Sequence, residues 1–303
     1  MIIKMKKWKV VSTAVTFGRF HKEPVKRLEE IGCEVMINPF GRPFTTEELI
    51  KYGKDADALI VGNDKVVKEA IDQCKKLKII AKHGVGVDGI DIKAAHDRGI
   101  IVTNAPGTNC QEVADCAMGF ILMLARDYYR AVFETKSGKW IKRPGISLYQ
   151  KTIGILGLGN IGTAMAKRAA GFDMNILGYD IKERQEVRNL GVKYVSLEEL
   201  LSNSDFITLH LPLNDGTRNL IDSEKFKMMK KGTILVNTAR SQIVDSEALY
   251  KALQDGTLLG YATDVYDSEP PVRKPFFDLP NVLLTPHEAG TTFDSNKRMG
   301  NTA

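Results

Sequence analysis

The sequence predicts an α/β protein built from two doubly wound parallel-sheet units of unequal size. Three observations lead there. Short β-branched runs alternate with helical patterns along the whole chain, and that alternation is the mark of parallel strands with helices on both faces. The alternation is interrupted once, by the Pro- and Gly-bearing stretch NAPGTN at Asn104–Asn109, and such punctuation marks a linker or boundary. The chain of 303 residues is also long enough for about two domains on the usual length scale.

The first alternation reads strand Lys9–Phe17, helix Glu23–Ile31, strand Glu34–Asn38, helix Thr46–Tyr52, strand Ala58–Val61, helix Lys65–Asp72 and strand Leu77–Ala81. Helix Ile92–Asp97 and strand Ile100–Thr103 close it. After NAPGTN, Cys110–Arg130 reads as one long packing helix, with apolar residues at Val113, Ala117, Phe120, Ile121 and Leu124. The second alternation reads strand Thr152–Leu156, helix Ile161–Ala170, strand Asn175–Tyr179, helix Lys182–Asn189, and strands Phe206–Leu209 and Thr233–Asn237. Helix Ser246–Gln254 and strands Gly260–Val265 and Val282–Leu284 end it. No repeat of short fixed period runs through the chain.

The totals narrow the function classes. With 43% hydrophobic and 26% charged residues the composition is that of a soluble globular protein. The longest apolar stretch, around Ala117–Ala125, is far short of the roughly 20 residues of a membrane span. The basic-then-apolar start, MIIKMKKWKVVSTAVTF, lacks a small-residue cleavage site and reads as a first strand led by lysines. The net charge of +6 is spread among helices, which speaks against nucleic acid and leaves an anionic small molecule open. Cys33, Cys74, Cys110 and Cys116 form no CxxC pair and no metal-ligand spacing. They read as reduced thiols of a cytoplasmic protein, and no metal site is expected.

The strongest motif is TIGILGLGNIGTAMA, which sets Gly157, Gly159 and Gly162 between a β-branched strand and an Ala-rich helix. Gly157 permits the tight turn, Gly159 lets backbone approach a pyrophosphate, and Gly162 lets helix and strand pack closely. The helix N-terminus then offers N–H groups to phosphates. Asp180 ends the next strand, where a carboxylate accepts from ribose hydroxyls and repels a 2′-phosphate. The motif therefore predicts NAD rather than NADP.

Three further strand ends carry chemistry. VNTARSQIVD puts Arg240 after an apolar strand, DVYDSEPP puts Glu269 in a Pro-stiffened turn, and TPHEAG puts His287 after the last strand. Ligands of open α/β sheets bind beyond the carboxyl ends of strands. There Arg240 can grip a carboxylate, His287 can exchange a hydroxyl proton, and Glu269 can hold the imidazole in one tautomer. This set suits hydride transfer coupled to proton transfer.

Together with KHGVGVDGID (Lys82–Asp91), NAPGTNCQEVAD (Asn104–Asp115), HLPL (His210–Leu213) and NTAR (Asn237–Arg240), these motifs make the chain resemble the D-2-hydroxyacid dehydrogenase family, in its D-3-phosphoglycerate dehydrogenase-like branch. The resemblance covers nearly the whole chain. It implies a Rossmann nucleotide domain at 104–289 and a flavodoxin-like substrate domain at 1–103 and 290–303, with the active site in the cleft. It implies Arg240, Glu269 and His287 as the catalytic residues. Asn160, Ile161, Asp180, His210, Leu211, Pro212, Thr238, Ala239, Asp264 and Gly290 join the three glycines, Arg240 and His287 as the NAD contacts. Lys82 and the loop Gly84-Val85-Gly86 join Arg240 in holding the substrate carboxylate, and a homodimer is expected. The implied reaction moves hydride between NAD and a small D-2-hydroxy acid, 3-phosphoglycerate included. An NADH-sensing corepressor-like protein and a formate or phosphite dehydrogenase are the alternatives.

The chain departs from the family pattern in places. Ser241 follows Arg240 where the family commonly has Gly, Glu288 follows the His, and Gly62-Asn63 stand where phosphoglycerate-specific members carry an Arg. The last point weighs against a phosphorylated substrate. The last helix is expected to continue well past Met299, so the substrate domain is expected to be truncated at Ala303.

Overall fold

The computed structural model describes residues 7–303. The chain separates into two compact units, one running to Asn109 and including Thr291–Ala303, the other holding Cys110–Gly290. The first break thus falls after NAPGTN, not before it. The leading lysines Lys4 and Lys6 of the expected first strand lie outside the described residues.

The first unit contains β1 (Trp8–Ser12), α1 (Glu23–Glu30), β2 (Cys33–Met36), α2 (Thr46–Gly53), β3 (Ala58–Val61), α3 (Lys68–Gln73), β4 (Ile79–Lys82), α4 (Ile92–Asp97) and β5 (Ile101–Thr103). Its sheet is parallel throughout, in the order β2-β1-β3-β4-β5. The order reverses between β1 and β3, which opens a crevice at their carboxyl ends. The expected strand Lys9–Phe17 stops at Ser12 because the chain turns out of the sheet there. Thr13 donates its hydroxyl to the buried Asp64, and the N–H groups of both Thr13 and Ala14 reach Ile60 O.

The second unit contains α5 (Cys110–Ala125), α6 (Tyr128–Lys136), β6 (Thr152–Leu156), α7 (Asn160–Gly171), β7 (Asn175–Tyr179), α8 (Gln185–Arg188), β8 (Val192–Tyr194), α9 (Leu197–Asn203) and β9 (Phe206–Leu209). It continues with α10 (Ser223–Met228), β10 (Thr233–Asn237), α11 (Ser246–Gln254), β11 (Leu258–Thr263) and β12 (Val282–Leu284). Helix α12 (Phe293–Thr302) returns to the first unit. The order β12-β11-β10-β9-β6-β7-β8 is again all parallel, with the reversal between β6 and β9. β6, β9 and β10 are central, and Ile153, Ile155, Phe206, Ile207, Ile234 and Leu235 on them are buried. Such two-sided burial is why these strands read as continuous apolar runs.

The structure corrects the long helix Cys110–Arg130. It breaks after Ala125, and Asp127 adopts a left-handed backbone with φ of 50°. Aspartate is one of the few residues that accept that conformation at low cost. Three elements were not anticipated: β8, α9 and α10. They are short, so periodicity over a window misses them, yet two carry readable starts. Ser196 Oγ accepts from Glu199 N at 3.1 Å, and Asp222 Oδ1 accepts from Lys225 N at 2.9 Å, both ordinary N-caps.

Two histidines sit near strand ends in the core. Burial lowers the pKa of His83, after β4, to about 4, and that of His210, after β9, to about 3. Each therefore folds neutral. As pH falls below about 6.5 the unfolded chain takes up protons that the folded chain refuses, so stability falls with pH, by up to about 1.4 kcal/mol per pH unit for each residue. Urea unfolding at pH 7, 6 and 5 should show this loss, and His83→Gln or His210→Gln should flatten the dependence relative to wild type. Equal slopes in wild type and variants would reject the assignment.

Candidate active site

The glycine turn after β6 has the geometry that its spacing predicts. Gly157 has φ of 89°, and a Cβ there would lie 2.7 Å from His210 O. A Cβ on Gly162 would overlap the carbonyl oxygen of Gly157, so α7 can approach β6 only without a side chain at that position. At Gly159 a Cβ would meet no protein atom within 4 Å. That side of the turn is open, and no side chain caps the start of α7 at Asn160 and Ile161. Asp180, just past β7, accepts from Leu158 N at 2.6 Å and from Lys182 N at 3.1 Å. Its carboxylate thus braces the glycine turn from the neighbouring strand.

At the exit of β9, His210 turns its ring inward: Nε2 lies 3.0 Å from Thr208 Oγ1, and Nδ1 is buried with no partner. Leu211 is half-buried and Pro212 exposed at this strand exit. At the exit of β10, buried Asn237 shapes the turn. Its Oδ1 accepts from Ala239 N at 3.0 Å, and its Nδ2 donates to Arg240 O at 2.9 Å. The Thr238 hydroxyl is buried and has no partner in the protein. An orphaned hydroxyl at the same carboxyl edge of the sheet as the open glycine turn fits a dinucleotide, whose polar groups would satisfy it. Arg240 is half-buried, and its Nη1 donates to Ala239 O at 2.6 Å.

Past β11 and β12, the structure brings Glu269 and His287 together. Glu269 Oε1 is 2.7 Å from His287 Nδ1. The carboxylate is an acceptor, so Nδ1 carries the proton and the neutral ring keeps its lone pair on Nε2. The side chains are 33% exposed for His287 and 27% for Glu269, enough to meet a ligand from one side. His287 itself has φ of 53°, a left-handed conformation that costs a residue with a Cβ about 1–2 kcal/mol.

Asp264 offsets that cost. The resemblance counts it among the NAD contacts; in the structure its carboxylate is buried and fastens the histidine loop. Oδ1 accepts from Thr285 Oγ1 at 2.5 Å and from Glu288 N at 2.8 Å, and Oδ2 accepts from Ala289 N at 2.8 Å. Tyr266 OH adds a bond to Thr285 O at 2.7 Å. Gly290 ends this loop. The sequence showed Asp264 and Tyr266 but held no signal that pairs them with residues some twenty positions on.

In the first unit, Lys82 ends β4 and Gly84, with φ of 148°, begins the turn after it. Lys82 Nζ donates to Gly62 O and lies 3.4 Å from Asn63 Oδ1. The Gly84 and Val85 carbonyls are taken by Ala105 N and Asn104 Nδ2, both at 2.8 Å. With those carbonyls turned away, the Gly84-Val85-Gly86 loop suits an anion on its N–H side.

Comparison with known proteins agrees with this geometry. Residues 118–289, within the second unit, match the family model described as D-isomer specific 2-hydroxyacid dehydrogenase, NAD binding domain. The chain is 44% identical over 285 residues to a D-3-phosphoglycerate dehydrogenase of Methanocaldococcus jannaschii, covering 92% of this chain and 54% of that one. It therefore spans about half the length of that relative. It is 42% identical over 284 residues to a hydroxypyruvate reductase of Thermotoga maritima, covering 90% of this chain and 92% of that one. With a glyoxylate reductase of Korarchaeum cryptofilum it shares 41% identity over 266 residues, covering 85% and 80%. Among solved structures, the TT0316 protein from Thermus thermophilus superposes with a TM-score of 0.87 at 36% identity, covering 97% and 93% of the two chains.

Replacing Asp264 should separate fold from site. In Asp264→Asn an amide N–H₂ group faces backbone N–H donors, leaving at least one of them unpaired, and about 1–3 kcal/mol of stability should be lost. Crystallography or NMR should find the His287 loop released while the glycine turn is unchanged. An unaltered loop in this variant would refute the fastening role.

Proposed function

The chain belongs to the D-isomer specific 2-hydroxyacid dehydrogenase family, and from that premise we propose that it interconverts a small, unphosphorylated 2-keto acid and its D-2-hydroxy acid with NAD. The observation that carries this reading is the Glu269–His287 pair, 2.7 Å apart, at the ends of neighbouring strands that also present Arg240. The nucleotide would lie on Gly157–Gly162, with Asp180 at its ribose and Thr238 hydroxyl, Leu211 and Gly290 along its length. When bound, NAD supplies or accepts the hydride. Arg240 binds and orients the substrate carboxylate. In the oxidative direction His287 Nε2 takes the hydroxyl proton, and Glu269 stabilises the resulting imidazolium through Nδ1. In reduction the same proton returns to the carbonyl oxygen. General acid–base catalysis of this kind contributes about 10²–10⁴-fold.

Gly62, Asn63 and Lys82 bear on the charge of the substrate. Asn63 is uncharged, and Lys82 spends hydrogen bonds on Gly62 O and Asn63. A phosphate ester needs charge-assisted partners, so glyoxylate or hydroxypyruvate fits better than phosphohydroxypyruvate. The similarity to the M. jannaschii enzyme, which covers 92% of this chain, keeps the phosphorylated substrate as the second reading.

We place the protein in the cytoplasm as a homodimer. All four cysteines are free thiols, as suits a reducing compartment. No helix among the described residues is long and apolar enough to cross a membrane. On α6 and the segment after it, Val132, Phe133, Trp140 and Ile141 are exposed, Phe133 by 74% and Trp140 by 83%. Exposed apolar side chains at that density mark a protein contact.

A panel of glyoxylate, hydroxypyruvate, pyruvate and phosphohydroxypyruvate with NADH and NADPH should show the highest kcat/KM for a short unphosphorylated acid with NADH. His287→Ala should lose roughly 10²-fold or more in kcat while NADH affinity, read by fluorescence, stays put. Full turnover in that variant would remove His287 from the mechanism, and a preference for phosphohydroxypyruvate would establish the second reading. Light scattering should give twice the chain mass for wild type and a monomer for Phe133→Glu combined with Trp140→Glu. Monomeric wild type would refute the dimer.

A further inference from the structure

The loop bearing Arg240 and the loop bearing Glu269 leave β10 and β11 separately, and one carboxylate joins them. Ser241, directly after Arg240, donates its hydroxyl to Asp267 Oδ1 at 2.7 Å. Asp267 stands two residues before Glu269. Its other oxygen accepts the Lys274 ammonium at 2.5 Å, and Lys274 also donates to Ser246 Oγ at 2.6 Å, at the start of α11. Both carboxylate oxygens are thereby committed, one to each flank.

The segment borders a cavity of about 140 Å³ lined by Tyr261, Val265, Tyr266, Val272, Phe276 and Phe277, with Ser241, Asp267 and Lys274 also on its wall. The polar ties at this wall prescribe direction and partner, which apolar contacts do not. Burial tends to raise the pKa of Asp267, but the bonds from Lys274 and Ser241 outweigh it and hold the group below the ordinary aspartate value. The carboxylate is therefore charged at neutral pH and fit to accept from both neighbours.

We propose that Asp267 is a positioning residue that couples the substrate-gripping Arg240 to the histidine-orienting Glu269: Ser241 ties it to the Arg240 loop, the chain carries it two residues on to Glu269, and Lys274 anchors it to the start of α11. The inference rests on the functional reading given above. Arg240 fixes where the keto acid sits, and Glu269 fixes where His287 points. A shared tie keeps the two in register, and a shift of about 1 Å between them is enough to cost roughly 10²-fold in rate. Asparagine at 267 lacks the charge that strengthens both bonds, and it can meet Ser241 and Lys274 together only by donating to the Ser241 hydroxyl instead of accepting from it.

The test is steady-state kinetics of the full chain with NADH and glyoxylate for Asp267→Asn, Ser241→Ala and the two combined. Asp267→Asn should lose roughly 10- to 100-fold in kcat/KM, shared between a higher KM for the keto acid and a lower kcat. NADH affinity and the unfolding midpoint should stay at wild-type values. Ser241→Ala should lose less, and it should add nothing in the Asp267→Asn background, as residues of one tie behave in a double-mutant cycle. Wild-type kinetics in Asp267→Asn, multiplicative losses, or a parallel fall in NADH affinity would each overturn the coupling. If Asp267→Asn fails to fold, Ser241→Ala and Lys274→Met decide alone: a several-fold loss with NADH binding intact supports it, and no loss overturns it. An inactive wild type would overturn the functional reading and this proposal together, whereas an active wild type with unaffected variants overturns the coupling alone.

Discussion

The site in the second unit depends on one buried carboxylate, that of Asp264. It accepts from Thr285 Oγ1, Glu288 N and Ala289 N. Those bonds keep His287 at a φ of 53°, since the left-handed region is a strained place for a residue with a Cβ. The strain has a use: it turns the histidine out of the strand direction and presents Nδ1 to Glu269. Chain connectivity extends this single anchor into a system. From Asp264 onward, Tyr266 OH reaches Thr285 O, Asp267 reaches Ser241, and Glu269 reaches His287. One short segment leaving β11 thus touches the exits of the strands on both sides of it.

That arrangement explains why Arg240, Glu269 and His287 stand at one edge of the sheet. Parallel strands deliver all their carboxyl ends to one side, and the order β12-β11-β10 makes the three loops neighbours. A sheet fixes where loops start but leaves their ends free. Burying apolar side chains in the strands does not specify the position of a polar atom several residues further on. Hydrogen bonds to acceptor-only carboxylates do, because direction and partner type are both prescribed.

The same reasoning explains what was legible in the sequence. The alternation of strands and helices was readable because each buried strand needs a continuous apolar run, as in TILVN at β10. The glycine turn was readable because Gly157 and Gly162 answer to local steric demands that no other residue meets. Arg240, Glu269 and His287 were readable as chemistry-bearing residues after strands. Chemistry also paired Glu269 with the imidazole, but the other contacts were not readable. That Asp264 holds the histidine loop and that Ser241 meets Asp267 depend on which strands lie side by side. Strand order is a tertiary property, set by crossovers and invisible in local pattern. The break at Asp127 and the short β8 and α10 were missed for a different reason: each spans too few residues for a period to show.

Asp64 shows that the carboxylate anchor recurs in the first unit of this chain. In the first unit, at the reversal between β1 and β3, Asp64 is buried and accepts from Thr13 Oγ1 at 2.5 Å, Phe44 N at 2.7 Å and Gly62 N at 2.9 Å. The set of donors matches that of Asp264: one Thr hydroxyl and two backbone N–H groups. Both anchors follow a strand, and both recruit loop N–H groups that would otherwise be buried without partners, at a cost of about 1–3 kcal/mol each. An amide in either place would bring donors of its own and fail to accept from all three. In the first unit the fastened loop carries Gly62 and Asn63 beside Lys82; in the second it carries His287. At these two strand exits the tie to a buried aspartate, rather than the sheet alone, sets where the side chains stand.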